Sequence, residues 1–270
     1  MSAAAPAPAL SVGALIRQLA SAQKRAARGA PAYSLFVNRP LGRVPAAIAF
    51  RWGWTPNLVT AVSAGFSLAG ILVLALTPPS ATTGVLVWLL LAGGYVLDSA
   101  DGQLARLRGG GSPAGEWLDH VVDAWKISSV HLAVLVMAYR YPPVADPAWL
   151  LVPLGFTIVA AVAFFAMILN DLLKAKYAGA APAGAPSTPL RALLGLPTDY
   201  GVLCLSFVLL GVPAAFAVGY TLLFAANLLY LLLALAKWFR DMRALGSPRP
   251  AAAAAPRHRA EDRIDHAVAG

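Results

Sequence analysis

The chain has 270 residues, 59% of them hydrophobic and only 12% charged, with a mean hydropathy of +0.68. Soluble domains carry about 25% charge and about 45–50% apolar residues, so the composition excludes an ordinary soluble protein and points to lipid as the solvent. The formal charge of +9 would suggest a nucleic-acid partner in a soluble chain, but its distribution argues against one.

Residues 1–9 are rich in Ala and Pro and are expected to lack packed structure. Leu10 to Ala27 reads as an interfacial amphipathic helix, with Val12, Leu15, Ile16 and Leu19 on one side and Arg17, Lys24 and Arg25 on others. Arg17 and Gln18 interrupt the apolar run that a signal peptide needs. A second juxtamembrane helix is expected around Tyr33 to Arg51. Apolar runs of roughly 20 residues, enough to cross about 30 Å of hydrocarbon, then recur. They are read as six spans: Thr55 to Leu76, Val85 to about Arg106, Pro113 to Tyr139, Trp149 to Leu173, Tyr200 to Leu210 with its flanks, and Ala214 to Phe239. The fifth is the least regular, since Pro189, Gly195 and Pro197 crowd its start. It holds the single cysteine, Cys204, which can form no intrachain disulfide and is expected to act as a small buried hydrophobe. Residues 246–270 are again rich in Ala and Pro.

The basic residues give the topology. Arg17, Lys24, Arg25, Arg28, Arg39, Arg43 and Arg51 precede the first span, and Arg106 and Arg108 lie between spans two and three. Lys174, Lys176 and Arg191 lie between four and five, and Lys237, Arg240 and Arg243 close the sixth; Arg140 alone falls on the other side. The positive-inside rule then puts both termini in the cytoplasm, with anionic lipid a further attraction. The expected fold is an all-α integral membrane protein of six transmembrane helices preceded by an amphipathic juxtamembrane helix. Its divisions are an N-terminal segment at 1–32, a membrane domain at 33–241 and a cytoplasmic tail at 242–270.

One stretch breaks the apolar pattern. DSADGQLARLRGGGSPAGEWLDHVVD, from Asp98 to Asp123, holds five of the twelve acidic residues. A charge deep in a bilayer costs about 2.5–3.5 kcal/mol on insertion scales, so these aspartates need a compensating partner. Asp98 and Asp101 are i, i+3 and Asp119 and Asp123 are i, i+4, so each pair shares a helix face. Gly109-Gly110-Gly111 stops one helix, and Ser112 at N-cap with Pro113 at N1 starts the next. Helices joined so tightly run antiparallel, which sets Asp101 level with Asp119 and Asp98 level with Asp123, on the order of 10–15 Å from the cytoplasmic loop. Four carboxylates at one level repel unless cations are present. Hard oxygen donors suit Mg²⁺ or Mn²⁺, which also bridge phosphate oxygens. The four could hold two such ions about 3.5–4 Å apart, the spacing used for displacement at phosphorus. Gly102, Ala105 and Gly115 read as gaps, for close helix packing or for a phosphate nearing the backbone. Arg106 is placed to grip a phosphate as a fork of donors. Taken singly, a DxxD pair, a helical glycine or an interfacial arginine would be unremarked features of any membrane protein; their conjunction on adjacent spans points to a metal site.

Asp98, Asp101, Gly102, Ala105, Arg106, Gly115, Asp119 and Asp123 fit DxxDGxxAR(x8)GxxxDxxxD without departure, and this pattern resembles the signature of the CDP-alcohol phosphotransferases. The six-span layout is similar to theirs, over roughly residues 33–241. The resemblance implies transfer of a substituted phosphate from a CDP-linked alcohol to an acceptor hydroxyl, with release of CMP, in phospholipid synthesis. It implies that Asp98, Asp101 and Asp119 are ligands of Mg²⁺ or Mn²⁺, with two ions expected. Asp123 would be both ligand and general base, and Gly102, Ala105, Arg106 and Gly115 would border the CDP moiety. Homodimers are common in that family and are an expectation here. So is a location in the plasma or inner membrane with the site facing the cytoplasm. Thr55-Pro56-Asn57 resembles a segment that family members carry near the nucleotide, although a Thr cap with Pro at N1 accounts for it equally well.

The resemblance leaves the two alcohols open. The chain length and six spans look closer to enzymes that use CDP-diacylglycerol, whereas SPxGExxDH within SPAGEWLDH is similar to the choline and ethanolamine phosphotransferases. His120 could assist proton transfer or be a hydrogen-bonded interfacial residue, and Glu116 could complement the helix dipole. Lys126 either neutralises the aspartates or binds an acceptor phosphate. Lys174, Lys176 and Arg191 could ring an anionic acceptor or form a solvated basic loop. Two rivals are weaker. A membrane prenyltransferase would carry Asp-rich motifs far apart in sequence, and a cation transporter would spread its acids over several spans and give Gly102, Ala105 and Arg106 no role.

Overall fold

The computed structural model describes residues 11–22, 32–178 and 195–245. The expected terminal tails at 1–9 and 246–270, Lys24 and Arg25 of the amphipathic segment, and Arg191 lie outside the described residues. Helices account for the secondary structure, and the described residues contain no strand.

Helix α1 spans Val12–Ser21, with the Ser11 hydroxyl accepting from Ala14 N at 3.2 Å. Its apolar side buries Leu15 and Leu19; Leu19 packs with Ala46, Ala49, Val59, Ala100 and Leu104. The amphipathic face therefore docks on protein. A π-helical turn at Ser34–Asn38 leads into α2, Arg39–Arg51, which lies along the later helix that carries the first aspartate pair.

Among the described residues, five helices are long and apolar enough to cross a membrane. Helix α3, Pro56–Leu76, starts at a Thr55 cap whose hydroxyl accepts from Leu58 N at 3.2 Å, with Pro56 in the first turn. Helix α4, Ala81–Leu107, starts at a Ser80 cap accepting from Thr83 N at 3.1 Å. Helix α5, Pro113–Arg140, starts at Ser112, which accepts from Gly115 N at 3.1 Å. The reversal between α4 and α5 uses Gly109 at φ +93° and Gly110 at φ +138°, backbone angles that L side chains resist. Gly110 N closes the end of α4 by donating to Ala105 O at 2.9 Å. Helix α6, Leu151–Ala178, follows a 3₁₀ turn at Pro147–Leu150, and the last long helix, α8 below, is Pro213–Leu245.

The fifth expected span is described from Tyr200 onward. Helix α7 covers Tyr200–Ser206, followed by 3₁₀ residues Phe207–Gly211, a rod of about 20 Å against about 30 Å of hydrocarbon. Its limits are local. Asp199 caps Gly201 N at 2.9 Å, and Val212 with Pro213 ends it, because α8 begins there. Residues 179–194, its expected flank, lie outside the described residues.

The bundle closes on itself through small residues. On α3 the buried positions Thr60, Ser63, Ser67 and Gly70 recur every three or four residues. On α4 the matching stripe is Leu91, Gly94 and Asp101. Ser63 Oγ donates to Gly94 O at 2.9 Å, and a Cβ on Gly94 would stand 2.7 Å from Ser67 Oγ. That close approach lets α3 and α4 pack backbone to backbone. One core, of Leu74, Val87, Leu91, Val134, Phe207, Phe216 and Tyr220, fills the end away from the aspartates. The small cluster around Ala46, Val59 and Leu104 supports the other end.

Candidate active site

The α4 stripe that meets α3 through Gly94 continues one turn further into Asp98 and Asp101, so the helix contact that sets the bundle also points the first pair inward. The α5 cap fixes where that helix begins, and hence the depth of Asp119 and Asp123. Among the described residues, Asp98, Asp119 and Asp123 form a group whose carboxylate oxygens all lie within 4.8 Å of one another. The donors are hard oxygens with no thiolate or imidazole, a set that fits a hard divalent cation.

Asp101 is placed differently from its three companions. It falls outside the close group, and its Oδ2 accepts a 2.5 Å hydrogen bond from Thr60 Oγ1. Both partners are buried, Thr60 at 3% exposure and Asp101 at 6%. The antiparallel level rule treats α4 and α5 alone, and α3 claims this one carboxylate.

A cavity of about 220 Å³ opens beside the group. Its lining includes Asp98, Asp101, Gly102 and Arg106 of α4, Asp119 of α5, and Arg39 and Arg43 of α2. The cavity thus offers carboxylates for a cation and guanidinium forks for an anion a short distance apart. At Gly102 the nearest atom to an added Cβ would be Arg106 Nη1, at 3.7 Å; the glycine leaves room on the cavity wall rather than space for another helix. Gly115 is the opposite case. A Cβ there would meet Asn57 Oδ1 at 3.1 Å and Ser112 Oγ at 3.3 Å, so Gly115 admits the start of α3. Ala105 is half-buried and its carbonyl closes the α4 end.

Lys126 is the side chain least expected at this depth. It is 2% exposed, and its Nζ lies 3.0 Å from Asp98 Oδ1 and 2.5 Å from Asp123 Oδ1. The other expected neighbours lie further out. The His120 ring packs edge-on against Phe164 of α6, with centroids 6.3 Å apart, and Glu116 is exposed in the first turn of α5. Lys174 bonds Asp241 at 3.3 Å, and Lys176 sits over the Tyr177 ring at 5.3 Å.

The sequence matches the family model described as CDP-alcohol phosphatidyltransferase over residues 53–239. The chain belongs to the CDP-alcohol phosphatidyltransferase family. Among solved structures it is similar to Mycobacterium tuberculosis phosphatidylinositol phosphate synthase, PgsA1. The crystal structure of that protein with CDP-DAG bound aligns with a TM-score of 0.51 at 22% identity, covering 75% of this chain and 94% of that one. The crystal structure in complex with manganese and citrate gives a TM-score of 0.48 at 21% identity, with 75% and 89% covered. At such identities the likeness is one of fold. No curated protein matches the chain.

In this CDP-alcohol phosphatidyltransferase the site also contains residues that sequence reasoning passed over. Arg39 and Arg43 stand one turn apart on α2 and face the cavity. Read in sequence, they merged with the other basic residues before the first span, although their i, i+4 spacing was a usable signal. Ser99 and Gln103 line the same cavity, and Gln103 Nε2 donates to Arg39 O at 3.0 Å, which ties α2 to α4. Thr60 carried no signal beyond its place in the Ser63, Ser67 series on α3.

Proposed function

We propose that the chain catalyses metal-dependent transfer of a substituted phosphate from a CDP-alcohol to an acceptor hydroxyl, releasing CMP, with the phosphatidyl group of CDP-diacylglycerol as the group moved. The observation that carries this reading is a cavity lined by Asp98 and Asp119, two members of the Asp98, Asp119 and Asp123 group, together with Arg39, Arg43 and Arg106. A diphosphate bridging cations needs both.

Asp98, Asp101, Asp119 and Asp123 would hold Mg²⁺ or Mn²⁺, two ions being the expectation of the family pattern. Such ions supply charge neutralisation on the diphosphate and polarise its phosphorus. Arg106, beside the open face of Gly102, binds the diphosphate as a fork, and Arg39 and Arg43 hold a phosphate or an anionic acceptor from α2. Gly102, Ala105 and Gly115 border the CDP moiety. Asp123 is the general base. It takes the acceptor hydroxyl proton as that oxygen bonds to the transferred phosphorus, and the bond from this phosphorus to CMP breaks. Lys126 holds Oδ1 of Asp123 and so orients the carboxylate. The basic pattern at the aspartate end supports a cytoplasmic face for the site, in the plasma or inner membrane, with both termini on that side and Tyr200–Gly211 with its flank as a sixth span. Homodimerisation follows as an expectation of the family alone.

The experiment is CMP release by the purified chain in lipid, with CDP-diacylglycerol and a panel of hydroxyl acceptors, against CDP-choline with diacylglycerol. Release from CDP-diacylglycerol that stops with EDTA and returns with Mg²⁺ is the expected result. Release only from CDP-choline would move the chain to the choline and ethanolamine type that SPAGEWLDH resembles, and release indifferent to EDTA would overturn the metal reading.

A further inference from the structure

The four aspartates are not equivalent, and Lys126 is the reason. Asp101 is bonded to the Thr60 hydroxyl of α3. Asp98 of α4 and Asp123 of α5 share one ammonium, at 3.0 and 2.5 Å, and the side chain that carries it is 3% exposed. That ammonium also lies over the Tyr200 ring of α7, 5.4 Å from its centroid. Asp119 makes no ion pair with Lys126 and lines the cavity.

An ammonium bonded to carboxylates from two helices makes the connection that a bridging metal ion would make. It also offsets negative charge between the two helices. A buried lysine is tolerable only because the two carboxylates are there, and the converse holds for them. Both contacts use Oδ1, so each carboxylate retains its second oxygen.

We infer that the Lys126 ammonium is a resident cation taking the place of one of the two divalent ions that four aspartates could hold, so that the nucleotide-free site takes up a single Mg²⁺ or Mn²⁺. This rests on the assignment of the aspartates as metal ligands under the proposed function. It departs from the two ions expected from the family pattern, because that pattern contains no lysine one turn beyond the last aspartate.

Mn²⁺ is the probe. The purified full chain in lipid nanodiscs, without nucleotide, is titrated with Mn²⁺, with bound ion counted by equilibrium dialysis and its spectrum read by electron paramagnetic resonance. The wild type is expected to bind one ion per chain, with the signal of an isolated Mn²⁺. Lys126→Met is expected to bind two and to show a spin-coupled pair, and Lys126→Arg, which keeps the charge, to bind one. Two ions in the wild type would overturn the inference and leave the proposed function standing, as would a Lys126→Met chain that still binds one. No bound ion in any variant would overturn the metal assignment itself. Should Lys126→Met fail to fold, the wild-type and Lys126→Arg counts decide the matter.

Discussion

Thr60 offers the sharpest test of how the aspartates are held. Thr60→Val keeps the shape of the side chain and removes the hydroxyl that donates to Asp101 Oδ2 at 2.5 Å. The bond is between buried groups, so water cannot replace the donor, and a hydrogen bond to a charged group contributes about 1.5–3 kcal/mol. At about 1.4 kcal/mol per decade, that is roughly a ten- to hundredfold change in any equilibrium that depends on Asp101 being held in place. Loss of a partner that orients a metal ligand costs about the same range in metal affinity. The midpoint of a Mg²⁺ titration of CMP release should therefore move up by roughly ten- to hundredfold, while Thr60→Ser, which retains the hydroxyl, stays near the wild type. A Thr60→Val titration that superimposes on the wild-type curve would refute the idea that α3 positions a ligand for the ion.

Three further expectations are distinct in kind. Asp123→Asn should reduce CMP release by at least about 10²-fold, the scale of a positioned general base, while donor binding measured by nucleotide protection from proteolysis is largely kept; lost binding with residual turnover would contradict the base assignment. Arg106→Lys replaces a fork with a point charge, so the donor KM should rise by roughly tenfold, and an unchanged KM would remove Arg106 from the diphosphate site. Gly94→Ala places a Cβ 2.7 Å from Ser67 Oγ, an overpacking that costs about 1–3 kcal/mol. It should lower the thermal midpoint in detergent, and Gly94→Ala with Ser67→Ala should recover much of the loss; no recovery would mean that another contact sets the α3–α4 distance.

Much of the framework was legible because it is encoded over a few residues. Thr55 and Ser112 each cap the helix that follows, as a hydroxyl before a first turn should, and Gly109 with Gly110 makes the reversal; the Ser80 cap, which starts α4 four residues before the expected Val85, was missed. The described part of the fifth expected span, Tyr200 to Leu210, is helical too. The Asp199 cap and the Pro213 start bound it as seven α-helical residues and five 3₁₀ residues. The apolar side of α1 was visible too, although a one-sided pattern says only that this side avoids water; Leu15 and Leu19 are buried, and Leu19 packs on α2, α3 and α4.

The sequence by itself determined that the chain is helical, made for lipid, and carries two acidic helix faces joined by a tight turn, because periodicity and capping act within one or two turns of chain. Tertiary structure alone decided which oxygens meet. Thr60 reaches Asp101 across 41 positions and Lys126 reaches Asp98 across 28, and Arg39 and Arg43 arrive from a helix before the first span. Those pairings depend on the rotation and separation of packed helices, set where Ser63 and Ser67 of α3 meet Gly94 of α4, and no local pattern in any one helix contains that information.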